Sequence, residues 1–498
     1  MHQTIFGNEQ EYGIAISAPT EEKRKEEMDR LYAGQTLGYG LSLYGPRGLG
    51  GFLENGGRLY RDNSWHPEYA TPEAGCASDI VSYIRSGDRI LAMIADGMNE
   101  GFFKGGVRVA FFVHNRDASG NVFGTHENYL MTRMQSRISL GGIAELMAPF
   151  FASRIIFTGN GSATPGGYHL SQRASATGHL VSEQANLTGV RGFISSRDEP
   201  HADRERWRRL HVIGADATMA ETATFFRYGA TMAVIELIEE EYLTKLPWWD
   251  SQYHSNDIIP ALRHYTNDLT LRKAARLGHG YYSAADMQEF YYEKVARFSE
   301  YTGRTDEERK KLLVLWGDLI KRARSAHPEE ALSPFVDWAA KMRLMKERGL
   351  WYIRSKRGGT LFPDDATCYR AQAIDIRYHD VGSHGLANIL MSPTRDSRLW
   401  RLERMVTDQS IGEACRAPAR DVARATRAYA RAEQIKWIID NVRSHCHIAV
   451  DWTSIKIHRN MSSGPFHTFS NPDPRRSDPH IPPHTEQWSR HTLIPRKP

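Results

Sequence analysis

The segment Gly7-Asn8-Glu9-Gln10-Glu11-Tyr12-Gly13 sets two carboxylates two residues apart. On a β-strand successive side chains alternate faces, so Glu9 and Glu11 point the same way. Adjacent like charges repel unless a cation or basic groups compensate them, and the alternative is a solvated strand face. A second segment runs Arg58-Leu59-Tyr60-Arg61-Asp62 and, after a turn, His66-Pro67-Glu68-Tyr69-Ala70-Thr71. Arg58, Tyr60 and Asp62 share one strand face, and the turn carries His66, Glu68 and Thr71 to a nearby point. Such a surface offers hard oxygen ligands of the kind magnesium takes. It also offers a separate carboxylate, Asp62, as base or nucleophile. Tyr60 taken alone is a residue type found more often in cores than as a ligand.

A third segment, Gly124-Thr125-His126-Glu127-Asn128-Tyr129-Leu130, adds Glu127 as a further candidate ligand. The fourth covers Ser196-Arg197-Asp198-Glu199-Pro200-His201-Ala202-Asp203 and continues to Arg208-Arg209-Leu210-His211-Val212. Its guanidinium groups suit phosphate and carboxylate recognition, although a surface ion-pair cluster would look the same. No segment is a P-loop or a kinase-type glycine loop. Residues 45–51 are glycine-rich but lack the Gly-Lys-Ser/Thr ending, and read as a flexible loop. The His445-Cys446-His447 cluster is set aside as a metal site, because neighbours on a strand diverge and no second ligand pair stands at metal spacing.

The elements that must position these groups follow from pattern. Residues 3–16, 57–62, 107–114 and 192–196 are β-branched or aromatic runs broken by glycine, and read as strands. Helical periodicity marks 78–100 and 137–156, and then 224–242, 284–301 and 306–326. Strands mixed with helices, without a regular βαβ rhythm, predict an α+β domain whose long helices cover a sheet. Residues 373–378 read as a strand. After residue 397 the chain turns basic and helical, over 417–443 above all, which puts a small C-terminal domain at 401–462 behind a catalytic domain at 1–400. Residues 463–498, rich in Pro, His and Ser, read as an irregular tail.

Bulk properties narrow the function classes. Of 498 residues, 41% are hydrophobic and 25% charged, which is ordinary for a globular protein. A net charge of +5 on a chain of this size argues against nucleic acid as the main partner. Four scattered cysteines without a CxxC pair suit a reduced compartment better than a disulfide framework. The N-terminus shows no secretory pattern, and the most apolar stretch, 143–158, is interrupted by Glu145 and Arg154 and too short to span a bilayer. A cytoplasmic protein without a membrane partner is expected.

Taken together, the motifs resemble the family of Pup ligases and Pup deamidases, related to glutamine synthetase and other carboxylate-amine ligases. They are Gly-x-Glu-x-Glu-Tyr-Gly at 7–13, Asn-Gly-x-Arg-Leu-Tyr-x-Asp at 55–62 and His-Pro-Glu-Tyr at 66–69. His-Glu-Asn-Tyr-Leu at 126–130, Leu-Ser-Gln-Arg at 170–173, Arg-Asp-Glu-Pro-His-Ala-Asp at 197–203 and Arg-Arg-Leu-His-Val-Ile at 208–213 follow in order, with Val450-Asp451-Trp452-Thr453 near the end. The resemblance implies a curved antiparallel sheet forming an open cradle, helices behind it and a small C-terminal domain. It implies ATP and Mg2+ as cofactors, with Glu9, Tyr60 and Glu68 as magnesium ligands. Arg58, Thr71 and Trp452 would contact ATP, Asp62 would be the catalytic carboxylate, and Glu127, Arg209 and His211 would serve a second metal or a phosphate.

The same resemblance implies joining the C-terminal Glu of a Pup-like small protein modifier to lysine-bearing protein targets. Asp62 and His66 are separated by Asn63-Ser64-Trp65, and only 46 residues lie between Glu11 and Arg58. Both features, with Thr71, resemble the ligase branch rather than the deamidase, which would act on a Gln form of the modifier. A catalytically silent scaffold is the reading from another class, and retention of Asp62 and its neighbouring carboxylates stands against it. The sequence departs from the family pattern at Val113-His114-Asn115, at Trp207 and after Ile457, so the modifier need not be Pup itself.

Overall fold

The computed structural model describes residues 5–32, 51–62, 66–117, 120, 122–133, 139–182, 190–240, 255–350, 353–354, 360–394, 396, 399–418, 426–441, 447–458, 467–471, 473 and 475. Most of the glycine-rich loop at 45–51, the Asn63-Ser64-Trp65 spacer, His445-Cys446 and most of the tail lie outside these residues, while His467–Ser470 of the tail is a strand and not irregular. The chain forms two compact units. The first gathers Met1–Phe111, Glu199–Trp207 and Thr407–Pro498, and the second Phe112–Asp198 with Arg208–Val406.

In the first unit, strand Pro67–Ala70 lies between Phe6–Glu11 and Arg58–Arg61 and is antiparallel to both. The face carrying Leu59, Tyr69 and Gln10 is buried, as expected where one side of a ribbon packs on a helix. That helix is Ala77–Gly101, whose Ile80, Val81, Ile84, Leu91, Ile94 and Met98 recur at helical spacing and are buried. It comes close at Gly87, where an added Cβ would sit 2.3 Å from the Tyr69 ring.

The unit also holds helix Arg427–Asn441 and a three-stranded antiparallel sheet, His447–Val450, Ser454–His458 and His467–Ser470. Ile435, Trp437, Ile438, Ile455, Ile457 and Phe469 form one buried cluster with Phe52. Burying Phe52 among residues nearly 400 positions away ties both ends of the chain into a single core.

In the second unit, Thr125–Thr132, Trp207–Val212, Arg191–Ser195 and Thr177–Ser182 follow one another across a sheet. The last two strands run parallel, so this sheet is mostly, not wholly, antiparallel. Helix Leu140–Thr158 is buried on nearly every side from Ile143 onward, which explains its lack of a polar face. It is long and apolar enough to cross a membrane by length and composition, yet 78% of that window is buried within the protein. Residues 373–378 are helical, not extended. They end helix Asp365–Tyr378, capped where the Asp364 side chain accepts from the Thr367 amide at 2.6 Å. Cys368, Ala371, Ile374 and Tyr378 are buried at helical spacing, and six residues out of context could not separate the two periods.

Candidate active site

Pairing register turns the two-residue alternation into a two-dimensional array. In one row across the first unit's ribbon, Tyr60 stands opposite Glu68 and Glu68 opposite Glu11. In the next row Arg58 stands opposite Ala70, and Ala70 opposite Glu9. Directly paired residues share a face, so Glu9, Glu11, Arg58, Tyr60 and Glu68 all lie opposite the buried Tyr69 side. Asp62 extends the same face: its amide donates to the His66 carbonyl at 3.0 Å, and its Oδ1 accepts from the His66 amide at 2.6 Å. The His66 Nδ1–H donates to the Tyr12 carbonyl at 3.1 Å, which fixes the turn.

Glu11, Asp62 and Glu68 each bring a carboxylate oxygen within 4.8 Å of the other two. Burial, then the charges of Glu9 and Glu11, push the Glu68 carboxyl up to about 9. Burial, followed by Glu68 and Glu9, also raises the Tyr60 phenol above its ordinary value. The carboxylates converge with the Tyr60 phenol into an all-oxygen set that fits a hard divalent cation such as magnesium. The sequence motif contains Glu11 but does not mark it as a ligand, because its place depends on which residue it pairs with.

Beside the acids lies an aromatic and cationic cluster. The Arg58 guanidinium sits 4.7 Å from the Tyr60 ring centroid and 5.3 Å from that of Phe52. Phe52 meets Trp452 edge-on at 5.0 Å, and Arg431 lies 4.8 Å over the Trp452 ring. Asp451 Oδ1 accepts from the amides of Thr453 and Ser454 at 2.7 and 2.8 Å, closing the turn that presents Trp452. Behind the cluster, Glu73 binds Arg427 at 2.7 Å and Arg431 at 2.6 Å. Burial would raise the Glu73 carboxyl, but the two guanidinium groups outweigh it and hold it at about 2. Thr71 is buried, its hydroxyl accepting from the Asn8 amide at 3.0 Å. It clamps the two strands.

The second unit holds the remaining expected residues. Glu127 does not fit its expected metal role. With Thr125, Tyr129 and Met131 it occupies the buried face of its strand. There it takes Arg154 of helix Leu140–Thr158 at 3.0 Å and accepts a hydrogen bond from Tyr129. An apolar core tolerates Arg154 only with such a partner. The other face carries His126, whose ring is 5.1 Å from that of His211. His126 is the residue that sequence reasoning passed over, though alternation from Tyr129 and Met131 could have found it. Arg209 Nη2 donates to His211 Nδ1 at 3.1 Å. The motif at 170–173 is structural: Asp216 accepts from the Ser171 hydroxyl at 3.0 Å and from the amides of Gln172 and Arg173 at 3.2 and 2.9 Å. His114, at a departure from the family pattern, lies in a buried polar cluster with Gln172, Lys341, Asp375 and His379.

Residues 4–456 match the family described as Pup-ligase protein. The chain belongs to the Pup-ligase family. Among relatives of this Pup-ligase family member, the Pup–protein ligase of Acidimicrobium ferrooxidans is 33% identical over 462 residues, 91% of this chain and 92% of the relative. That of Kineococcus radiotolerans is 32% identical over 466 residues, covering 92% and 94%. The fold is also shared with a crystal structure of the complex between the prokaryotic ubiquitin-like protein Pup and its ligase PafA. That match has a TM-score of 0.74 and 27% identity, over 96% of this chain and 90% of the other. PafA in complex with ADP matches with a TM-score of 0.69 and 26% identity over 93% of each chain.

Proposed function

We propose that this Pup-ligase family member uses ATP and magnesium to join the C-terminal glutamate of a Pup-like modifier to a lysine amine of a target protein. The carrying observation is the in-register row Tyr60, Glu68, Glu11 with Asp62 beside it, a convergence of oxygen ligands of the kind magnesium takes. Glu9, Tyr60 and Glu68, together with Glu11, are the proposed ligands. Bound magnesium would neutralise phosphate oxygens during phosphoryl transfer. Arg58 and Trp452 hold the nucleotide; for Arg209 and His211 the family motif supports a role toward a second metal or a phosphate.

The γ-phosphoryl group passes from ATP to an oxygen of the glutamyl carboxylate, and ADP leaves. The lysine nitrogen then attacks the acyl carbon, phosphate departs and the isopeptide bond forms. An ammonium group, with an unperturbed pKa near ~10.4, must first lose a proton. Asp62 is the proposed acceptor, held in orientation by the His66 amide. The cytoplasm is the proposed setting, in keeping with cysteines outside disulfides at Cys368 and Cys415 among the described residues.

Incubation with ATP, magnesium and a modifier ending in Glu is expected to give conjugate and one ADP per bond. Ammonia release from the Gln-ended form, without conjugate and without net ATP consumption, would replace ligation with deamidation. Asp62→Asn is expected to lower turnover by roughly 100-fold or more, in the range of a lost general base, while ATP still binds. A fully active variant removes Asp62 from the chemistry.

A further inference from the structure

His201 has a positive φ of 47°. Glycine adopts this left-handed backbone at no steric cost, whereas a side chain makes it unfavourable. Non-glycine residues persist there when their surroundings hold them, and such positions cluster at ligand clamps. Here the holding group is visible. The Arg427 guanidinium donates to the His201 carbonyl at 2.5 Å, and the same side chain is anchored by Glu73 at 2.7 Å. The exposed imidazole is turned toward Trp452, with ring centroids 6.4 Å apart and planes inclined by 38°. A flat ring inserted between two others needs about 7 Å, from two contacts of roughly 3.5 Å. The two rings thus form a wedge that a small side-chain rotation opens to the thickness of a purine.

From this geometry we propose that His201 is the second wall of a base clamp, stacking the adenine of ATP against Trp452. The inference rests on the reading of Trp452 as a nucleotide contact and adds to it the residue that makes the site selective for a base. The backbone held by Arg427 aims the ring, and Glu73 links that aim to the strand that carries Glu68. Base stacking on one aromatic side chain is commonly lost with a roughly tenfold or greater fall in affinity.

The test exploits the conformation itself. His201→Gly keeps a backbone that tolerates φ of 47° and removes only the ring. Calorimetric titration is expected to show ATP binding weakened roughly tenfold, with the thermal midpoint within a degree or two of the parent's. Binding of magnesium tripolyphosphate, which has no base, stays unchanged, and His201→Phe restores ATP affinity. The proposal is overturned if His201→Gly binds ATP like the parent, or if it weakens tripolyphosphate equally. Trp452→Ala separates the two levels. If it loses ATP affinity while His201→Gly does not, only the His201 inference falls. If Trp452→Ala binds ATP normally, the nucleotide reading of this cluster falls with it.

Discussion

Glu68 stands between two acidic residues on a neighbouring strand, Glu11 directly opposite and Glu9 one row away, on a face that leaves it buried. Folding without a cation therefore works against this side chain, since burial and both neighbours oppose its charge. Replacing it with its neutral isostere should move stability and function in opposite directions. Glu68→Gln is expected to raise the melting temperature of the metal-free protein by a few degrees, equivalent to about 1 kcal/mol in a chain of this size. The same variant should weaken magnesium-dependent ATP binding by roughly tenfold or more, the scale of a lost hydrogen-bonded charge. Thermal melts and titrations with and without magnesium check both halves. A variant that loses stability as well would mean that Glu68 is held by structure and not by a missing cation.

At the scale of elements, the acidic face depends on how closely helix Ala77–Gly101 approaches the strand Pro67–Ala70. The Tyr69 ring fills the space over Gly87, and its hydroxyl accepts from Asn55 Nδ2 at 2.9 Å. Asn55 Nδ2 also donates to the Ala414 carbonyl at 3.0 Å, so one side chain fastens the strand to the short helix Asp408–Ala414. Tyr69 is the residue next to Glu68, and any shift of its ring moves the strand that carries the carboxylate. Gly87→Ala would set a methyl 2.3 Å from that ring. Overpacking of this kind costs about 1–3 kcal/mol. Chemical denaturation should register that loss, and ATP titration should show weaker binding although no ligand-facing residue has changed. Unchanged ATP affinity at reduced stability would show that the strand holds its position without the Tyr69 contact.

For the molecule as a whole, the bond between the chain's two ends is electrostatic as well as apolar. Glu73 lies 358 residues before Arg431, and their ion pair fixes helix Arg427–Asn441 to the N-terminal strands within one unit. Its carboxyl is held at about 2 in the fold against 4.5 ordinarily. A depressed pKa contributes stability that is complete above the unfolded value and declines as pH falls from about 4.5 toward 2. The shift corresponds to about 3 kcal/mol at neutral pH. Glu73→Gln should therefore be strongly destabilised in urea at pH 7, and its deficit relative to the parent should narrow by about 2 kcal/mol at pH 3. A deficit independent of pH would show that packing, not charge, joins the two ends.

Much of the site could be read in the order of the residues, because strand alternation is a local property. The two-residue spacing in Glu9-Gln10-Glu11 and in Arg58-Leu59-Tyr60 decides which side chains share a face before any partner strand is known. The ordered motifs were sufficient for the family, and helices such as Ala284–Thr302 announce themselves through a Ser283 capping box and a buried stripe. Pairing register is not local. That Glu11 faces Glu68 follows from strands dozens of residues apart settling on one alignment, and that Glu68 faces Tyr60 from the register of the two strands flanking the turn after Asp62. The same holds for Glu127, a ligand by motif and an ion-pair partner of Arg154 once helix Leu140–Thr158 covers its face. Residues 373–378 pack Ile374 and Tyr378 into the core as the last turns of helix Asp365–Tyr378. Tertiary structure decided these points because each depends on what lies across space, and a charge or a short apolar run takes its meaning from that neighbour.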